Sequence, residues 1–102
     1  MVSIADIRSK VAKDEFVLTK HAVDRAILRR IHVAEIREVI ENGEVIEDYS
    51  DDKYGASCLI LGRTTAGRPL HIQMTYPSNS VIKLITMYEP DPMEWVEFRT
   101  RK

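Results

Sequence analysis

Thr19-Lys20-His21-Ala22-Val23-Asp24-Arg25-Ala26-Ile27-Leu28-Arg29-Arg30 is the stretch on which the reading of this chain turns. The spacing predicts a helix from Lys20 to about Arg30. Thr19 suits its N-cap, because a hydroxyl there accepts from backbone N–H groups that the first turn leaves free. His21, Arg25 and Arg29 follow at four-residue steps and share one stripe. Ala22, Val23, Ala26 and Ile27 fall on the other side and suit a core. An imidazole and two guanidiniums in line, near the positive end of a helix, can receive a phosphate. The same residues can equally make a solvated charged face.

Outward from this helix, the flanking periodicities assign the other elements. Upstream, Ser3 caps a first helix over 3–13, with Ile4, Ile7 and Val11 on one side. Phe16-Val17-Leu18 is expected as a brief edge strand. Downstream, Val33, Ile36, Val39 and Ile40 form the apolar face of a helix that ends at Asn42-Gly43, where glycine is free to take the left-handed cap conformation. The link between these two helices is so short that they should pack as neighbours. From Glu44 the period changes to two. Strands are expected over 45–49, 56–64, 70–76 and 81–88, joined by turns at Ser50-Asp51-Asp52-Lys53, at 65–69 and at Pro77-Ser78-Asn79-Ser80. A final segment, Met93 to Phe98, should lay Trp95 on the sheet. Residues 1–102 thus read as one α+β domain, a helix pair on a four- or five-stranded, mainly antiparallel sheet.

A chain of 102 residues, 44% hydrophobic and 30% charged, belongs with ordinary soluble domains. The net charge of −1 gives no global attraction to nucleic acid or acidic membranes. The distribution is uneven, however. Thr19 to His32 carries four Lys/Arg and two His against one Asp, whereas Val33 to Asp52 carries eight acids against one Arg. One positive and one negative side follow. Cys58 is the sole cysteine, which excludes an intrachain disulfide and a cysteine-rich zinc site. Met1 to Val11 lacks a hydrophobic signal core, and no apolar run approaches membrane-spanning length. A cytoplasmic, bacterial-type domain is expected, with no membrane partner.

No nucleotide-binding glycine loop, nucleophile elbow or metal-ligand spacing is present, so no cofactor and no metal are expected. The remaining chemistry-bearing residues are His21, His71, the arginines, and Thr86 with Tyr88. Thr86 and Tyr88 stand two apart and should share a face with Ile82 and Leu84, toward the helices. Such a set can cleave RNA without metal. A base takes the 2′-hydroxyl proton, an acid protonates the leaving 5′-oxygen, and guanidiniums stabilise the phosphorane. His21 would be base or acid, Arg25 and Arg29 would hold phosphate, and Tyr88 would donate to phosphate or stack on a base. His71, on the neighbouring strand, is a further substrate-binding candidate. Each has a plainer alternative. His21 can be a structural partner at a helix start, Tyr88 and Trp95 can be packing residues, and Cys58 a small buried hydrophobe.

Phe16-x-Leu18-Thr19-x-His21-Ala22-x-x-Arg25, then Arg29-x-Ile31, Glu35-Ile36 with Asn42-Gly43, and Ile85-Thr86-x-Tyr88-x-Pro90 with Trp95 resemble a bacterial family known as domain of unknown function 4258. The resemblance runs from about Phe16 to Trp95 and leaves the first helix outside. That family is similar to RelE-like toxins, whose fold packs two helices on an antiparallel sheet and whose members are often encoded beside small zinc-finger antitoxins. The resemblance implies a RelE-like fold and the toxin role of a type II toxin–antitoxin pair. It implies a metal-independent endoribonuclease, with RNA (ribosome-bound or free) and a cognate antitoxin as partners. It carries catalytic roles onto His21, Arg25, Thr86 and Tyr88. Arg29 and His71 enter from the physical argument alone. The alternative is a non-catalytic protein-interaction domain.

Overall fold

A computed structural model describes residues 2–51, 55–78 and 81–102. Its elements are α1 (Ile4–Ala12), β1 (Phe16–Leu18), α2 (Lys20–Leu28), α3 (Val33–Asn42), β2 (Glu44–Tyr49), β3 (Ser57–Arg63), β4 (Pro69–Thr75), β5 (Ile82–Tyr88), β6 (Trp95–Val96) and β7 (Thr100–Arg101). The expected turns at Ser50–Lys53 and Pro77–Ser80 fall partly outside the described residues.

The fold is α+β, with a five-stranded sheet in the order β1-β5-β4-β3-β2. β2, β3, β4 and β5 pair antiparallel in sequence, whereas β1 lies parallel to β5. The sheet is therefore mixed, with one parallel pair. No hairpin ties β1 to β5: two helices and three strands separate them, and a long connection of that kind permits parallel pairing.

All three helices cover one face. Ile7 and Val11 of α1, Ala22 and Ala26 of α2, and Ile36, Val39 and Ile40 of α3 bury against Cys58, Ile60, Leu70, Ile72, Met74, Ile82, Leu84 and Met87. Burial pushes the Cys58 thiol up to about 12, so it stays a neutral thiol packed in the core. α3 sits very close to the sheet at two glycines. A Cβ on Gly62 would lie 2.2 Å from the Val39 carbonyl oxygen, and one on Gly43 would lie 2.5 Å from the same atom. Gly43 ends α3 with φ −82°, in extended rather than left-handed conformation. Close approach, not positive φ, makes it glycine.

The left-handed position appears instead after α2. Arg30 has φ +53°. The Ile31 N–H donates to Ala26 O at 2.8 Å and the Arg30 N–H to Ile27 O at 3.3 Å, the bonding pattern of a Schellman stop. Burial of Ile31 accompanies it. This turn swings the chain from α2 into α3 within four residues.

The apolar side of α2 departs from the periodicity. Ala22 and Ala26 are buried, but Val23 is 41% and Ile27 73% exposed. The cause is position: α2 follows β1 directly and lies at the end of the sheet, where there is core for small residues only.

Candidate functional site

β5 positions the site through one extra residue. Ile72 stands opposite Met87 and Met74 opposite Leu84, all four in the core. Between them Gln73 faces Thr86, so Ile85 is unpaired and forms a β-bulge. The side-chain phase reverses there. Thr86 and Tyr88 share the face of Gln73 and His71, away from the helices. The expectation that they point with Ile82 and Leu84 assumed unbroken alternation, which the bulge removes.

α2 reaches these residues from the side. The Thr19 hydroxyl accepts from Ala22 N–H at 3.1 Å and donates to Ile85 O at 3.2 Å. At the other end of the helix the Arg29 guanidinium donates to Met87 O at 2.7 Å. α2 therefore runs along β5 where β1 stops, and its side chains satisfy carbonyls that a strand would otherwise take. Of the stripe expected from sequence, His21-Arg25-Arg29, it is Arg29 that meets this border. Arg25 and Arg29 are part-buried and His21 is exposed. Eight residues of helix separate His21 from Arg29 by about 12 Å.

Arg29 and Tyr88 come together in a cleft of about 420 Å³, lined also by Arg68, Glu89, Asp91 and Glu94. Arg68 is the organiser. Its guanidinium donates to Arg29 O at 2.8 Å and Arg30 O at 3.1 Å, capping the C-terminal end of α2. It also pairs with Glu35 at 3.3 Å and Glu89 at 3.1 Å. Backbone donation from His32, with the Arg68 charge, lowers the Glu35 carboxyl. Arg68 sits in the β3–β4 turn and nothing in its sequence neighbourhood signals this role. The cleft acids lie just after β5, in a segment that reads only as a turn.

His71 lies behind Tyr88 and does not reach the cleft. It is 0% exposed. Its Nε2 lies 2.6 Å from Phe98 O and its Nδ1 3.2 Å from the Tyr88 hydroxyl. A carbonyl only accepts, so Nε2 carries the hydrogen. Burial lowers the imidazole below its ordinary value, which keeps it neutral. Nδ1 is then an acceptor and the Tyr88 hydroxyl donates to it. Burial also raises Tyr88. The hydroxyl thus keeps its proton, directs it inward, and offers lone pairs outward. In this arrangement the Tyr88 hydroxyl is an acceptor toward the cleft.

The C-terminal hairpin closes over this face. Trp95 packs edge-on to His71 at 4.5 Å, and Arg101 lies over Trp95 at 4.7 Å. Arg101 pairs with Glu47 at 2.9 Å and Arg99 with Glu44 at 2.8 Å. Trp95 is buried on the sheet as expected, held in a two-stranded ladder.

Of the residues singled out from sequence, the structure groups Arg29 with Tyr88, backs Tyr88 with His71, and places Arg25 one turn away. Thr86 lies one step back along the same strand face, and His21 stands at the far end of α2. Among the described residues, no three His, Cys, Asp or Glu side chains are grouped to hold a metal ion. Among them, too, no helix is long and apolar enough to cross a membrane. A second, apolar cleft of about 530 Å³ lies between α2 and α3, lined by Leu18, Val23, Ala26, Ile27 and Val33 with Arg30 and His32 at its rim.

The architecture is that of an α+β domain whose basic helix borders a tyrosine-bearing strand over a polar cleft. The chain belongs to the family described as domain of unknown function DUF4258, whose model matches residues 18–89. That span runs from the end of β1 through Glu89, and leaves α1 and the β6–β7 hairpin outside. No curated protein and no solved structure matches the chain.

Proposed function

We propose that this domain binds single-stranded RNA along the border of α2 and β5 and cleaves it without metal, as the toxin member of a type II toxin–antitoxin pair. The observation that carries the reading is the Arg29–Met87 bond, which holds a guanidinium at the border of β5 in the cleft that Tyr88 also lines. A guanidinium beside a tyrosine in a cleft matches the need of a phosphodiester, with charge stabilised at phosphorus and a hydroxyl accepted nearby. Arg25 and His21, further along α2, would hold the adjoining backbone. The packing of α2 and α3 beside each other on the face of the antiparallel β2–β5 ladder supports the RelE-like reading of the fold.

The test is cleavage of a mixed-sequence RNA by the purified chain in EDTA, beside Arg29→Gln and His21→Ala. Cleavage that Arg29→Gln lowers at least 100-fold, and His21→Ala lowers less, supports the reading. Intact RNA with free substrate and with ribosomes overturns it.

A second reading, a protein-interaction domain, is favoured by the apolar cleft beside Ile27 and by the three cleft carboxylates, which oppose a phosphate. It expects no cleavage and no growth arrest on expression. It also expects sedimentation behaviour in the presence of a partner protein that changes in Ile27→Asp.

A further inference from the structure

The strongest unexplained feature is a buried histidine with one nitrogen spent and one available. His71 Nε2 is committed to Phe98 O, while among the described residues the hydrogen-bonding contact of Nδ1 is the Tyr88 hydroxyl. Tyr88 lines the cleft with Arg29 and Arg68. The hydroxyl therefore stands between the cleft and a basic nitrogen that is itself sealed from solvent.

We propose that His71 acts through Tyr88 as the proton acceptor for RNA cleavage, a positioning residue that makes the tyrosine hydroxyl a proton relay. The inference rests on the ribonuclease reading above. In the step, a ribose 2′-hydroxyl gives its proton to Tyr88 Oη while the Tyr88 proton passes to His71 Nδ1. The 2′-oxygen bonds to phosphorus and the bond from phosphorus to the 5′-oxygen breaks. The leaving 5′-oxygen takes a proton from water, and the resulting hydroxide is neutralised when His71 returns its proton through Tyr88. The products are a 2′,3′-cyclic phosphate and a 5′-hydroxyl.

The surroundings of His71 suit this cycle. Glu47 of β2 faces it and favours the imidazolium, while Arg101 of β7 opposes it. Arg101 is paired with Glu47, which blunts that opposition. Tyr88 of β5 and Trp95 of β6 complete the enclosure, both edge-on to the ring. The nitrogen is neutral at rest and has a carboxylate close enough to accommodate the charge it gains.

The test compares wild type, His71→Gln and Tyr88→Phe on mixed-sequence RNA in EDTA from pH 5 to 9. Gln at 71 can still donate to Phe98 O but is not a base. Wild-type cleavage should fall on the acid side of one ionisation. His71→Gln and Tyr88→Phe should each lose 100-fold or more, as removal of a general base does, and lose that acid limb. Nitrogen-15 NMR of wild type should show the Nε2–H tautomer of His71. Cleavage by His71→Gln within threefold of wild type, with the same pH profile, overturns the relay and leaves the ribonuclease reading intact. Should His71→Gln fail to fold, the tautomer and Tyr88→Phe decide. An Nδ1–H tautomer, or full activity in Tyr88→Phe, overturns the relay. RNA left intact by wild type overturns the ribonuclease reading, and the relay with it.

Discussion

His71 holds Phe98 by its backbone carbonyl at 2.6 Å, and Phe98 stands at φ +62°. Glu97 before it is at +53°, and Arg99 N–H returns to Val96 O at 2.9 Å. Two consecutive positive φ values closed by that bond make a type I′-like turn within the three-residue loop between β6 and β7. Asparagine and glycine usually fill it, and here glutamate and phenylalanine do. A buried imidazole thus fastens a strained turn over the sheet face that carries Tyr88.

The pH dependence of stability follows from the same histidine. Burial holds His71 below the ordinary 6.5 in the folded chain. The unfolded chain therefore takes up that proton first as pH falls. The His71 contribution is complete above about 6.5 and is lost as pH falls through the lower folded value. Thermal melts between pH 8 and pH 5 should show the wild-type midpoint dropping more steeply than that of His71→Gln. Parallel curves would remove His71 as the cause.

Relief of turn strain should be measurable at Glu97, which is exposed. Asparagine tolerates the left-handed region better than glutamate. Glu97→Asn is expected to stabilise the chain by about 0.5–1 kcal/mol in urea unfolding. A loss of stability would show that the glutamate makes a contact worth more than the strain.

Gly62→Ala tests how tightly α3 is seated. The new methyl would meet Val39 backbone atoms at 2.2 and 2.9 Å, and backbone cannot turn aside as a side chain can. Destabilisation of about 3 kcal/mol is expected, the upper range for overpacking. A change under about 1 kcal/mol would mean that α3 slides freely on β3.

Thr19→Val removes two hydrogen bonds at one atom while keeping its shape. The first turn of α2 loses its cap and Ile85 O loses a donor. Together these cost about 1–2 kcal/mol. Hydrogen exchange should quicken at Ala22 and leave the β3–β4 ladder unchanged. Uniform quickening across the sheet would instead indicate global loosening.

The chain's local periodicities determined most of its elements. Ile36-x-x-Val39-Ile40 specifies a helix face because i, i+3 and i+4 coincide on one side, and the alternation through Leu70, Ile72 and Met74 specifies a strand with one buried face. The Thr19 cap and the His21-Arg25-Arg29 stripe were legible for the same reason: both are relations within one turn or two. Tertiary structure alone decided the rest. A single unpaired residue, Ile85, reversed the phase of Thr86 and Tyr88, and nothing local distinguishes it from an ordinary strand residue. Val23 and Ile27 have the period of a core face, yet they are exposed because α2 borders the sheet instead of crossing it. Arg68 and Phe98 reach their partners across 39 and 27 residues of sequence, respectively. Periodicity reports which side a residue takes within its own element. Which element it then meets depends on register and packing across the whole sheet.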